Sequence, residues 1–272
     1  MEVSQLNPTR RIDLGGVAFR VLVAILYLFL LAPLLIVVVI SFSSNQYISF
    51  PPQGFTWHWY EILPTKSLFT SGLQTSLITS SVTTLIVLAV GVPASLALQR
   101  FEFPGRSALS AFFLSPLLVP TIVLALGLVL VLGPIGLTNT YAGIVIGHVS
   151  ITLPYVIRTT LMSLETSDTS SEEAARVLGA DGARVFWTVT LPIILPGIIA
   201  GAVMAFIVSF DELVIALFVA QSGKPTLPVQ LMNYVATSAD AAVASLSVVL
   251  IIFSALIVVV LERLVGLRRA LR

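Results

Sequence analysis

Residues Ser170–Pro192 read SSEEAARVLGADGARVFWTVTLP, a polar island between apolar runs that are each long enough to cross a bilayer. Ser170 and Glu173 have the spacing of a capping box, and Glu172 and Glu173 put two carboxylates in a first helical turn, where the helix dipole favours negative charge. Ala174, Ala175, Val177 and Leu178 continue that helix with small, smooth apolar positions. Gly179 stands where a left-handed residue ends it after about two turns. Asp181 is placed to cap a second short helix running through Trp187, and Pro192 and Pro196 suit the first turns of the apolar helix behind it. The predicted product is a helix, a turn and a helix projecting from a membrane, with small side chains at the tip, a shape that fits a groove on another protein.

The rest of the chain is the solvent-averse frame of that island. It has 272 residues, 57% of them hydrophobic and 10% charged, with a mean hydropathy of +1.04; soluble domains carry about 25% charged residues. A helix needs about 20 apolar residues to cross a hydrocarbon core of about 30 Å, so this length predicts about six spans and no soluble catalytic domain. The expectation is an all-α integral membrane protein with spans near 17–42, 73–98, 108–132, 141–162, 193–219 and 243–261, forming a single transmembrane domain over 17–265 between polar tails at 1–16 and 266–272. A formal net charge of +1, without a long Lys/Arg patch, gives nucleic acid no footing. With no cysteine there is no disulfide, thiol catalysis or thiolate metal site, and His58 and His148 show no ligand spacing. No GxxxxGK[ST] loop occurs, so any ATP and Mg are bound by another chain.

Along the chain, the TRRIDL string in the N-terminal tail resembles a twin-arginine signal, but Val21–Ile40 is long enough to span and lacks an A-x-A cleavage pattern, so it reads as a retained first helix. Phe55, Trp57, Trp59 and Tyr60 beside it read as an interfacial aromatic cluster. The second span carries Thr75, Ser76, Thr79, Ser80, Ser81, Thr83 and Thr84, whose small hydroxyls suit close helix packing. Pro116 and Pro120 inside the third span mark a kink, and His148 in the fourth reads as a packed, hydrogen-bonded residue. The LPVQLMNY string between the last two spans suits a short re-entrant or interfacial turn. With the N-terminus inside, Arg10, Arg11, Arg20, Arg100, Arg106, Arg158, Arg176, Arg184, Arg263, Arg268, Arg269 and Arg272 fall on the inner side and Lys66 and Lys224 outside. Both termini and the 170–192 loop are then cytoplasmic, since basic residues collect there.

Asp211 and Glu212 interrupt the apolar fifth span, MAFIVSFDELVIALFV. A carboxylate in hydrocarbon costs a few kcal/mol, about 2.5–3.5 on insertion scales, so it faces a cavity or a partner. At a rise of 1.5 Å per residue Asp211 lies about 22 Å beyond Pro196, in the outer half of the bilayer, and neighbouring helical positions point about 100° apart. One acid is expected to line a cation pathway and the other to pair with an adjacent helix.

Glu173-Ala174-Ala175, three residues, Gly179, nine residues, then Val189-Thr190-Leu191-Pro192 resembles the EAA loop of ABC importer permeases, with Val189 where that pattern has Ile. The resemblance implies the six-helix, MetI-like fold of a type I ABC importer permease. It also implies that Glu173, Ala174, Ala175, Gly179, Leu191 and Pro192 form a coupling helix docked on a cytoplasmic ATPase subunit. SFDELVIALFV and GFTWHWYEIL are similar to segments of PotC-like permeases of spermidine/putrescine importers. The implied partners are a second permease chain, two ATP-binding cassette subunits and a periplasmic solute-binding protein in a bacterial inner membrane. A polyamine suits a carboxylate pathway at Asp211 and Glu212 on Coulomb grounds; another solute, such as iron, an anion or an amino-acid-like compound, is the alternative. Two other readings compete: an ion-coupled secondary transporter with Asp211, Glu212 and His148 as its relay, and an intramembrane hydrolase using Ser209 or Ser150 with His148. The first lacks an internal repeat and the second a GxSxG motif.

Overall fold

The computed structural model describes residues 14–220, 223–238 and 240–265. Arg10, Arg11, Arg268, Arg269, Arg272 and the 266–272 tail lie outside the described residues. In chain order the helices are α1 (Leu14–Ser41), α2 (His58–Ile62), α3 (Ser67–Arg100), α4 (Arg106–Leu114), α5 (Thr121–Leu132), α6 (Tyr141–Glu165), α7 (Ser170–Val177), α8 (Gly182–Val185), α9 (Leu191–Phe210), α10 (Val214–Ala220), α11 (Leu227–Thr237) and α12 (Ala242–Val265). Among the described residues five helical runs are long and apolar enough to cross a membrane, Gly15–Ser41, Ser67–Arg100, Tyr141–Glu165, Gly182–Phe210 and Ala242–Val260, or six if the bent pair Arg106–Leu118 and Thr121–Leu132 is one span.

Two expected spans are broken. The 108–132 segment is α4 with a following 3-10 turn, Ser115–Leu118, and then α5, bent against each other by 108°. Val119, forced out of helical geometry by the proline after it, is extended at φ −90° and ψ 129°, and Pro120 opens α5 without an N–H to give. The 193–219 segment stops at Phe210 and resumes at Val214. The acid pair therefore occupies a break between two helices, where the sequence predicts an unbroken one.

Residues fall into two compact units, one within 1–60 and 239–248, the other within 61–238 and 249–272. In the first, the Trp59 indole donates to the Ser43 carbonyl at 2.7 Å, Tyr60 and Ser41 share a 2.7 Å hydroxyl contact, and the Ser245 hydroxyl reaches the Ser41 carbonyl at 3.0 Å. Trp59 is thus a buried structural residue, while Phe55 and Trp57 stay exposed as interfacial aromatics do.

In the second unit α3, α6 and α9 pack mutually, with Val87, Val156 and Ala205 at their shared core. Glycines let the backbones approach. A Cβ on Gly91 would meet Val156 and Leu153, and one on Gly201 would lie 2.5 Å from Thr159 Oγ1 and 3.0 Å from Val156 Cα. These contacts, with Ser95 donating to the Ile157 carbonyl at 3.3 Å, run α3 parallel to α6 and α9 antiparallel to both. The hydroxyls of α3 serve packing. Thr75, Thr79, Ser80 and Ser95 donate to carbonyls four residues back, and Ser76 accepts the Leu227 N–H at 2.9 Å, seating α11. α11 is the short helix that LPVQLMNY forms.

Overfilling a close helix contact costs about 1–3 kcal/mol. Gly201→Val is therefore expected to lower the thermal unfolding midpoint in detergent, whereas Gly127→Val, whose Cβ meets nothing within 4 Å, changes stability by no more than about 0.5 kcal/mol and leaves the midpoint near wild type. Equal midpoints would show that α6 and α9 do not depend on this contact.

Candidate functional site: the α6–α9 loop and the acid pair

α7 starts at Ser170 as the spacing predicts, but not through the predicted box. Thr169 holds the N-cap position in helical geometry with no side-chain bond, and Asp168 does the capping: its Oδ1 accepts the Ser170 N–H at 2.9 Å and its Oδ2 the Ser170 hydroxyl at 2.6 Å. At its other end the helix closes as expected. Gly179 has φ +86°, its N–H bonds the Arg176 carbonyl at 2.9 Å, and the Ala180 N–H bonds the Ala175 carbonyl at 3.0 Å, a Schellman closure. Asp181 caps α8, accepting the Arg184 N–H at 2.7 Å. α8 then passes through a π turn, Phe186–Thr190, straight into α9, with Pro192 in its first turn.

The predicted coupling residues divide. Glu173, Ala174 and Gly179 are exposed, and Ala175 is half-buried. Leu191 and Pro192 open α9 and position the loop. Val177 and Leu178 add an apolar tip, 87% and 88% exposed, and Trp187 is exposed as well. On the inner side Glu172 is buried, and its Oε1 accepts from Arg100 Nη2 at 2.5 Å and from Thr190 Oγ1 at 2.9 Å. From sequence alone Glu172 is a first-turn acid favoured by the helix dipole and nothing more. Its signal was a second acid beside the motif's own.

At the far end of α9 the acids have different surroundings. Glu212 Oε1 accepts the Ile215 N–H at 3.0 Å and so caps α10. Asp211 stands in the C-cap position of α9, exposed, with no hydrogen-bond or ion-pair partner for its carboxylate among the described residues. A carboxylate beside the carbonyl end of a helix adds to the negative end of the dipole, and the two together attract a cation. His148 and Ser209 do meet, Nδ1 to Oγ at 2.8 Å, but both are fully buried between α6 and α9. That closes the serine to any substrate and makes the pair an interhelical hydrogen bond. Ser150 spends its hydroxyl on the Gly147 carbonyl at 2.6 Å.

The Ser170 hydroxyl first, and its N–H second, hold the Asp168 carboxyl below the ordinary carboxylate value. A depressed folded-state pKa contributes stability above the unfolded value, about 3.9, and loses it as pH falls through the folded one. Amide exchange at the start of α7 is therefore expected to quicken as pH drops through that window, after correction for intrinsic rates, and to be quick already at neutral pH in Asp168→Ala. A start of α7 equally protected in both proteins would remove Asp168 as its cap.

Comparison with known proteins agrees with this architecture. Residues 89–268 match the family model described as binding-protein-dependent transport system inner membrane component. The chain is 30% identical over 242 residues, 89% of its length and 93% of the relative's, to the spermidine/putrescine transport system permease protein PotC of Haemophilus influenzae. It is 32% identical over 225 residues, 80% of each chain, to the putrescine transport system permease protein PotI of Escherichia coli K12. A bacterial ABC transporter involved in import of the acidic polysaccharide alginate has the same fold, with a TM-score of 0.68 at 19% identity over 96% of this chain and 98% of that one. With its apolar helices, its polar loop and a relative of 30% identity along nearly its whole length, the chain belongs to the family of inner membrane components of binding-protein-dependent transport systems.

Proposed function

We propose that this chain forms one half of the translocation pore of an ATP-driven importer of polyamines. The observation that carries the solute class is Asp211, an exposed carboxylate at the carbonyl end of α9 whose neighbour Glu212 is already spent on capping α10. An ammonium group of spermidine or putrescine meets there both a full negative charge and the helix's own partial one. The permeases named above for spermidine and putrescine support the same class.

Around this chain the proposed assembly has a second permease, two ATPase subunits that bind ATP and Mg, and a periplasmic binding protein. Both termini and the α7–α8 loop face the cytoplasm in this reading, on the strength of the arginine distribution. The exposed side of the loop, Glu173, Ala174, Val177, Leu178 and Gly179, docks on an ATPase subunit. No bond is made or broken in this chain. ATP-dependent contact at the loop favours one of two pore states by differential affinity, the only means by which a bound partner shifts such an equilibrium.

The test is spermidine uptake and ATPase activity of the assembled complex in lipid nanodiscs and proteoliposomes. A hydrogen bond to a charged group contributes about 1.5–3 kcal/mol, so Asp211→Asn is expected to cut uptake at low spermidine by about tenfold or more, and Glu212→Gln by less. Gly179→Asp, which puts a side chain and a charge on the docking face at φ +86°, is expected to abolish stimulation of ATP hydrolysis by the binding protein. Full spermidine uptake by Asp211→Asn would remove the cation site, and normal stimulation in Gly179→Asp would remove the docking face.

A further inference from the structure

α7 is an unusual helix for one that is to transmit force, because it has almost nothing buried. Of its eight residues only Glu172 is buried, and Ala175 is half-buried. A helix seated on apolar side chains spreads its load over a non-directional contact. α7 leans on α8 and the π turn beside it, and its buried polar tie to α3 and to the head of α9 is a single carboxylate oxygen, which accepts Arg100 Nη2 at 2.5 Å and Thr190 Oγ1 at 2.9 Å. The two donors belong to different elements: Arg100 is the last residue of α3, and Thr190 closes the π turn that leads into α9. Beside them lies an open cavity of about 440 Å³, walled in part by Leu96, Phe101 and Phe186, so apolar packing does not fill the space around the clasp.

We propose that Glu172, clasped by Arg100 and Thr190, is the positioning residue through which movement of α7 reaches both α3 and α9. The inference rests on the reading of α7 as the surface an ATPase subunit engages, and it adds the route by which that contact leaves the loop. A charge-assisted bond is short and directional, so displacement of α7 pulls on the guanidinium and the hydroxyl together. The π turn is the compliant point, since its wider hydrogen-bond ring interrupts the regular helix where α9 begins. Glu173, one residue along, is exposed at the rim of the same cavity and stays accessible to the partner.

The experiment uses the whole complex in proteoliposomes, with spermidine as solute, and reads two quantities: solute moved per ATP hydrolysed, and ATPase subunit retained on purification. Coupling energies between sites correspond to roughly 5–150-fold, so Glu172→Arg and Arg100→Glu are each expected to lower solute moved per ATP about tenfold with the ATPase subunit still bound. The double swap, which restores opposite charges and leaves Thr190 able to accept instead of donate, is expected to recover most of the ratio. An unchanged ratio in the single variants overturns the proposal. So does a parallel loss of uptake, hydrolysis and bound ATPase subunit, the signature of a merely structural residue, and so does a double swap no better than either single. Gly179→Asp separates the two levels of argument: if it blocks stimulation while Glu172→Arg leaves the ratio intact, the clasp falls and the docking face stands; if neither has an effect, both fall.

Discussion

Close approach of α3, α6 and α9 is the constraint on which the second unit depends. Between apolar helices in lipid the hydrophobic effect offers little, because a leucine gains nothing by leaving a lipid tail for another leucine. What remains is contact and hydrogen bonding. Gly91, Gly197 and Gly201 provide the first by removing the side chains that would hold the backbones apart. Ser95 to the Ile157 carbonyl and His148 to Ser209 provide the second. The large apolar side chains are sent outward, which is why Leu85, Leu126 and Leu130 are exposed while Thr79, Ser80 and Ser95 are buried. Apolar side chains therefore cover the outside as well as the inside, where Val87 and Val156 share the core with buried hydroxyls.

The polar loop obeys the opposite economy. Its two short helices are held by local devices, the Asp168 and Asp181 caps and the Schellman closure at Gly179, none of which needs the bundle. α7 can therefore keep its shape while it shifts, and its tie to the bundle is narrow and polar. Stability of form and looseness of attachment are separable in this loop because they come from different residues.

Those local devices are also what the sequence made legible. The start of α7 at Ser170, its end at Gly179, the Asp181 cap and the proline at the head of α9 are each decided within a few residues, and each was readable. Two misreadings have physical causes. In the run Asp168-Thr169-Ser170-Ser171 any residue has cap chemistry, and the one that wins is chosen by backbone geometry that composition does not carry. The breaks at Val119 and at Asp211–Leu213 were hidden because hydropathy counts apolar residues without registering a change of direction; Pro116 and Pro120 signalled a kink, not a bend of 108°. Glu172 escaped for a third reason. Its partners, Arg100 and Thr190, lie 72 and 18 residues away in sequence, so nothing local to the motif distinguishes it from Glu173.

The break at Asp211 and the clasp at Glu172 occupy opposite ends of one element. α9 begins at Leu191, directly after Thr190, and runs unbroken to Phe210, directly before Asp211; twenty residues at 1.5 Å each make it about 30 Å long. A helix of that length is stiff, and along its middle it is held to α6 by glycine contacts too close to slide without separating. Near its far end the buried His148–Ser209 hydrogen bond holds it to α6 as well, two residues before Asp211. The far end is where the helix stops, where Glu212 restarts the chain as α10, and where the Asp211 carboxylate is exposed at the helix's carbonyl end. One continuous helix thus joins the Glu172 clasp at its first turn to the acid pair at its last, with a polar contact at each end.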